Sequence, residues 1–364
     1  MQIVSRRQVP TEKESIYFQK FVDKNGIEYG LRFGNPKDAK AISNIFKEIY
    51  QYDYLDPIVY NIEELKKEIS KNNKFWVIGE LLENKEVAGT GLVEKNRYIA
   101  HAAKVVVKKK FQGLGVTTKI GAAGLISILK MPQFKDVLRL DTDVRGVGIG
   151  TQKLAQYAGA IPFGLIPAYN NYGDKRGFIV DDNDPFPPVR EEPAFLYSII
   201  FKNLWSKRDK NVFLLDNEDF IFFYDYVKSM NKKMNNDILI LEKGKKHNNY
   251  ELYGVSKDYY KGKVTFYGYI KEKSLKNILK TYSNWRFILW KIPTTENGIS
   301  SMKLALDKGF KIVGYDVGFN NINWTLFDSV ILAYYPRNNC HDLKINCTEL
   351  LKPLEQKIKE LFSS

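Results

Sequence analysis

Residues 98–131 read YIAHAAKVVVKKKFQGLGVTTKIGAAGLISILKM, and the order of residue types in this stretch decides the fold. The apolar segment that ends in Val105, Val106 and Val107 predicts a strand. Lys108 to Gly115 is a basic, glycine-containing turn, and Val116 to Leu129 has the composition of a helix. A strand-turn-helix junction points several backbone N–H groups and the positive end of the helix dipole at one spot, where an anion can sit. Phosphate is the natural guest. The ordinary alternative is that Gly113 and Gly115 only tighten the turn and that the lysines are solvated.

The chain has 364 residues, of which 44% are hydrophobic, enough for a sizeable core and for roughly two domains. A net charge of +14 favours an acidic partner: nucleic acid, an anionic membrane, a phosphorylated cofactor or an acidic protein. Lysine is spread without a dense block, which fits diffuse solubilising charge and does not point to nucleic acid. No apolar run approaches the ~20 residues that cross a bilayer, and MQIVSRRQVPTEKESIYF has no apolar core or small-residue cleavage site. The expectation is a cytoplasmic protein without membrane contact. Cys340 and Cys347 have only His341 beside them, so free thiols and no metal are expected.

Taken in order, EYGLRF (Glu28 to Phe33) predicts a strand, and Asn35-Pro36 starts a helix with Ala39, Ile42, Ile45, Phe46 and Ile49 on one face. An aromatic loop, Tyr50 to Tyr54, precedes a second helix capped by Asn61 with Glu64 three residues on. KFWVIGELL and EVAGTGLVEK form a hairpin around Asn84. After the opening stretch, Pro132 breaks the chain. Val137 to Val144 is then a strand, GTQKLAQYAG a short helix and IPFGLIPAY another strand.

Residues 28 to 170 resemble the GNAT acyltransferase superfamily in this order of elements. Its loop signature, Gln or Arg, two residues, Gly, one residue, then Gly or Ala, is matched by Gln112-Gly113-Leu114-Gly115-Val116-Thr117 except that Thr117 stands last. The resemblance implies an α/β (α+β) fold, a mixed and mostly antiparallel twisted sheet flanked by helices. It implies that the pyrophosphate of acetyl-CoA or another acyl-CoA lies on Gln112, Gly113, Leu114, Gly115, Val116 and Thr117. The pantetheine arm then pairs with Val105, Val106 and Val107, and Lys108 to Lys110 add charge. A rival run, Arg145-Gly146-Val147-Gly148-Ile149-Gly150, fits the signature without exception. The chain beyond Gly150 lacks the elements that the fold requires after its cofactor loop, and the context favours Gln112 to Thr117.

The resemblance implies attack of an amine on the thioester without a covalent enzyme intermediate. His101 is the candidate general base and Tyr157 the candidate general acid, although Tyr157 lies two positions beyond the usual place. Glu94, Asp141 and Asp143 are reserve bases or amine-recognition groups. Residues 171 to 193 form a loop or lid, and the first domain spans 1–204. The second half, 205–340, repeats the theme without a signature loop, and LDKGFKIVGYDV resembles the end of a GNAT domain. This implies two such domains in tandem with a degenerate second copy, followed by a helical tail at 341–364. The acceptor is a small-molecule amine or a carrier-linked one. Two alternatives stand beside this: transfer from an acidic carrier protein or a tRNA-linked donor, and a non-catalytic partner module.

Overall fold

The computed structural model describes residues 16–178, 181–182, 190–242, 252–337 and 343–363. The chain forms two compact units. The first contains the residues up to Gln51, Ile58–Asn96 and His101–Lys135; the second contains Tyr52–Pro57, Arg97–Ala100 and the chain from Asp136 onward. The units therefore part between Lys135 and Asp136, inside the stretch 1–204 that the sequence assigns to one domain.

In the first unit the strands β1 (Gln19–Val22), β2 (Glu28–Phe33), β3 (Lys74–Leu81), β4 (Val87–Asn96) and β5 (Ile99–Val107) lie in sequence order. The helices α1 (Ala39–Tyr50) and α2 (Ile62–Ile69) connect β2 to β3. Asn35 starts the first of them as its side chain accepts from the Lys37 N–H at 2.9 Å and Asp38 accepts from the Asn35 N–H at 2.8 Å. Ile42, Ile45 and Phe46 are fully buried, as their helical spacing requires. After β5 comes one continuous helical run: α3 (Val116–Thr118), a π segment (Lys119–Gly124) and α4 (Leu125–Leu129). It seats on the sheet through Ile120, whose side chain fills the space that a Cβ at Gly79 or Gly89 would take, 2.6 and 2.9 Å away. That contact fixes where the N-terminus of the run points.

The second unit contains β6 (Arg139–Arg145), α5 (Ile149–Tyr157), β7 (Ile161–Tyr172), β8 (Arg190–Ile200), α6 (Lys202–Trp205), β9 (Asn211–Leu214), α7 (Glu218–Met230) and β10 (Ile238–Leu241). It continues with β11 (Leu252–Asp258), β12 (Lys263–Tyr269), α8 (Glu272–Thr281), β13 (Phe287–Pro293), α9 (Glu296–Asp307), β14 (Lys311–Ile322), β15 (Thr325–Tyr334) and α10 (Lys352–Ser363). Its main sheet runs β6-β8-β7-β14-β15-β13-β12-β11, and β9 pairs in parallel with β10. Phe220, Phe223, Tyr224 and Val227 of α7 are buried in the core with Leu165, Tyr315 and Val317 of the long strands. The loop expected at 171–193 is narrower than that, because Asn171↔Glu191 and Tyr172↔Arg190 are strand pairs; residues 179–180 and 183–189 lie outside the described residues.

A repeat runs through this unit. Gly148, Ile149, Lys153, Leu154, Ala155, Gly159, Gly164, Asn170 and Asn171 recur 150 residues later as Gly298, Ile299, Lys303, Leu304, Ala305, Gly309, Gly314, Asn320 and Asn321. The backbone repeats with the letters. Gly159 and Gly309 have φ of 80° and 82°, and Ala168 and Gly318 have φ of 47° and 61°. The register shifts of β7 against β8 fall between Pro162 and Gly164 and between Ile166 and Asn170; those of β14 against β15 fall between Ile312 and Gly314 and between Asp316 and Asn320. The two hairpins meet at Gly164↔Gly314, where a Cβ on either glycine would lie 2.7–2.8 Å from a carbonyl oxygen on the other strand.

Candidate functional site

The turn after β5 is held from several sides. Phe111 is buried and meets Tyr29 edge-on at 6.0 Å. The Gln112 side-chain amide donates to the Val107 carbonyl at 2.9 Å, and the Lys24 N–H reaches the Leu114 carbonyl at 3.4 Å. Gly113 and Gly115 have φ of 77° and 89°, a backbone region that side chains strongly disfavour. A Cβ on either would meet nothing within 4 Å. These glycines are therefore set by backbone conformation, and open space lies beside them.

Val116, directly after Gly115, is buried and opens the helical run. Among the described residues, none of the N–H groups of Gly113, Leu114, Gly115, Val116 and Thr117 donates to a backbone carbonyl, whereas the Gln112 N–H is spent on Lys109. Five unspent donors at a helix start, beside open space, suit a bound phosphate. Gln112 acts differently from the expectation: its N–H and its side chain both serve the turn itself. Lys108 and Lys110 also differ from the expected free charges, because both pair with Glu86, at 2.9 and 2.7 Å. Those hydrogen bonds, the one from Lys110 first, hold the Glu86 carboxylate below its ordinary range.

On β5, Val105 is half-buried, and Val106 and Val107 are buried. His101 is half-buried on the same strand. Between His101 and Val105 stands Lys104 with φ of 57°, a left-handed residue inside a strand. The sequence gives no sign of it, since lysine carries no preference for that conformation. Tyr157 ends α5 in the second unit and is 75% exposed.

The rival run at Arg145 to Gly150 is occupied by the chain. The Gly146 N–H donates to Pro193 at 2.7 Å, and a Cβ on Gly146 would lie 2.6 Å from the Pro193 ring. The Gly148 N–H donates to the Arg145 carbonyl. Arg145 is held bidentate by Glu192, both contacts at 2.8 Å. The C-terminal segment binds the same run: the Asn346 N–H donates to the Gly146 carbonyl at 2.8 Å, and the Gln152 side chain bridges Asn346 and Thr348 at 2.9 and 3.0 Å. None of its glycines has positive φ. The better-matching letters thus make a packed corner, and the poorer match makes the open turn.

Among the described residues no group of histidine, cysteine and carboxylate side chains could hold a metal, and no helix is long and apolar enough to cross a membrane. Cys347 is a buried free thiol whose pKa is pushed up to about 12 by burial and by Glu355 beside it; Cys340 lies outside the described residues.

No protein-family model and no curated protein sequence matches the chain. Solved structures that resemble it include an acetyltransferase of the GNAT family from Streptococcus pneumoniae, with 16% identity and a TM-score of 0.36 over 48% of this chain and 99% of that one. A second is an acetyltransferase from Salmonella typhimurium solved with acetyl-CoA, with 13% identity and a TM-score of 0.37 over 47% of this chain and 93% of that one. A third is a spermidine/spermine N-acetyltransferase from Vibrio cholerae, with 16% identity and a TM-score of 0.35 over 47% of this chain and 92% of that one. Likeness at these values decides nothing about activity.

Proposed function

We propose that the chain is an acyl-coenzyme A-dependent N-acyltransferase of GNAT type, with its cofactor turn at Gly113 to Thr117. The observation that carries this is the set of unspent N–H groups beside two left-handed glycines that face open space. These residues fit a pyrophosphate, because the donors are backbone groups that need no side chain to reach the ligand. Val105 to Val107 are the partner strand for the arm.

The thioester supplies an activated acyl carbon. An acceptor amine attacks that carbon; the new N–C bond forms, the C–S bond breaks, and the thiol leaves with the electron pair. His101 is the residue that takes the amine's proton, and Tyr157 is the candidate donor to the departing sulfur. The second half is proposed to be a degenerate copy of the same domain, a reading supported by the 150-residue recurrence from Gly148 to Asn171.

The test is mass spectrometry of what copurifies with the protein, paired with the thermal midpoint on adding acetyl-CoA. A bound acyl-CoA and a raised midpoint that Gly115→Trp abolishes are expected. Indifference to every acyl-CoA, with acylation from a carrier protein or a charged tRNA instead, removes this assignment.

A further inference from the structure

The main sheet of the second unit ends on a strand with one open side. Its elements β9, α7, β10, β11 and β12 follow the order of β2, the helices α1 and α2, β3, β4 and β5 in the first unit. In the first unit β3 covers β4 through an antiparallel ladder from Lys74↔Glu94 to Glu80↔Val87. In the second unit β10 pairs with β9 instead, and β11, at the end of the sheet, pairs with β12 alone among the described residues. The outer edge of β11 therefore presents a row of backbone N–H and C=O groups to which another strand can bond.

Little in β11 protects that edge. The strand runs seven residues, Leu252–Asp258, without proline, without positive φ and without a register shift against β12. Tyr253, Val255 and Lys257 alternate onto one face, where the Tyr253 ring meets Phe266 at 6.2 Å. Tyr253 is 42% exposed and Val255 45%. The Lys257 ammonium, the charge that would deter a neighbour, is held by Asp182 at 2.8 Å and lies 5.6–6.0 Å from the centres of the Tyr259, Tyr282 and Trp285 rings. The outer strand of the first unit is built the other way: β1 has four residues, one of them the exposed Lys20. Short strands and free lysines blunt an edge; a long, straight, apolar one invites a strand beside it.

We propose that the strand beside β11 is β11 of a second copy of this chain, paired antiparallel about a two-fold axis at Val255. The strand fits itself. Full overlap of two seven-residue strands brings Val255 opposite Val255, Tyr253 opposite Lys257, Gly254 opposite Ser256 and Leu252 opposite Asp258. No like charges face each other in this register, and like charges directly opposite are what destabilises such a pair. A slip of one residue would set Val255 against Gly254 or Ser256 and part the two apolar faces. The strand carries one lysine and one aspartate, so the +14 charge of the chain does not oppose the contact locally. Pairing about a two-fold axis covers both edges at once and closes as a dimer.

Sedimentation velocity of the full chain from about 1 to 100 µM, a range that brackets interfaces of ordinary to weak strength, should show monomer passing to dimer. Val255→Lys sets two ammonium groups face to face on the axis and should weaken the dimer roughly tenfold or more, while Val255→Thr, β-branched and uncharged, should retain it. Circular dichroism checks that Val255→Lys is folded. If it is not, cross-linking decides: with Cys340→Ser in the background, Val255→Cys should join two copies on mild oxidation, and Tyr253→Cys, which lies opposite Lys257, should not. A monomer throughout the range, a dimer that Val255→Lys leaves intact, or cross-linking at 253 and not at 255 overturns the proposal. A monomer that takes up an extended peptide along β11 overturns it as well, because the occupant is then foreign.

Discussion

Replacing Gly115 with alanine should damage the proposed cofactor turn through the backbone alone. The residue sits at φ 89° and ψ −7°, and the added methyl meets nothing within 4 Å, so no clash contributes. The cost is that of holding an L-residue in left-handed space, about 1–2 kcal/mol. A turn that relaxes to escape this strain re-aims the donors of Gly113 to Thr117, and each charge-assisted bond lost costs about 1.5–3 kcal/mol, so coenzyme A binding falls at least tenfold. Gly150 provides the contrast: it lies in the first turn of α5, has no positive φ, and its added methyl also meets nothing within 4 Å. Gly150→Ala should gain about 0.5–1 kcal/mol of helix stability and leave coenzyme A affinity unchanged. Calorimetric titration with coenzyme A and the thermal midpoint of each variant are the assays. If Gly150→Ala destroys binding and Gly115→Ala preserves it, the turn has been assigned to the wrong glycine run.

Gly164→Ala should destabilise the second unit by about 1–3 kcal/mol, because its methyl meets the Val313 carbonyl oxygen and the Gly314 backbone, which cannot rotate away; a denaturation midpoint equal to wild type contradicts the packing described for β7 and β14. Burial, with Arg286 adding to it and Asp53 opposing, brings the Lys175 ammonium down to about 8 from an ordinary 10.5. Between these values the unfolded chain binds more protons than the folded one, so the Lys175 contribution to stability rises as pH rises from about 8 to about 10.5. The stability difference between wild type and Lys175→Met, measured by denaturant titration over that range, should change with pH in wild type's favour; a flat difference rejects the shifted ammonium. His101→Ala should lower kcat about 100-fold or more, as loss of a general base does, and Tyr157→Phe should lower it less than tenfold from so open a position. Equal losses in the two variants reverse the roles.

Much of the first unit was legible because its signals are local. Ile42, Ile45 and Phe46 announce a buried helix face by spacing, and Asn61 caps α2 by accepting from the Glu64 N–H at 3.2 Å. The turn proposed for the cofactor was present in the sequence only as letters. A glycine in a sequence can mean positive φ or merely a missing Cβ, and Gly115 and Gly146 illustrate one each. Nothing local distinguishes them, which is why the Arg145 run looked the better match. What occupies it is Pro193, whose carbonyl accepts from the Gly146 N–H, and Asn346, 200 residues away in the chain, whose N–H donates to the Gly146 carbonyl. The pairing of Lys108 and Lys110 with Glu86 is hidden for the same reason: it depends on which strand lies beside which. The 150-residue recurrence was present in the letters. It survives mainly where the backbone demands it, at turns and bulges, so hydrophobic periodicity passes over it.

The recurrence also bears on how the proposed second copy would differ from the first. In the second half β12 pairs in parallel with β13 from Lys263↔Phe287 to Tyr267↔Lys291, and no left-handed glycine stands after β12 at Ile270 and Lys271. Trp290 donates its ring N–H to the Gly268 carbonyl at 2.8 Å, and the Tyr269 hydroxyl bonds the Thr295 hydroxyl that caps α9. Side chains thus fill this end of the strand pair. A buried Trp290 contributes several kcal/mol of packing that an open cleft would forgo, on the order of 3–5 kcal/mol. Packing of this end of the strand pair therefore stabilises the second unit. Trp290→Ala should therefore lower the denaturation midpoint while leaving coenzyme A affinity at the turn proposed for it, Gly113 to Thr117, as it was.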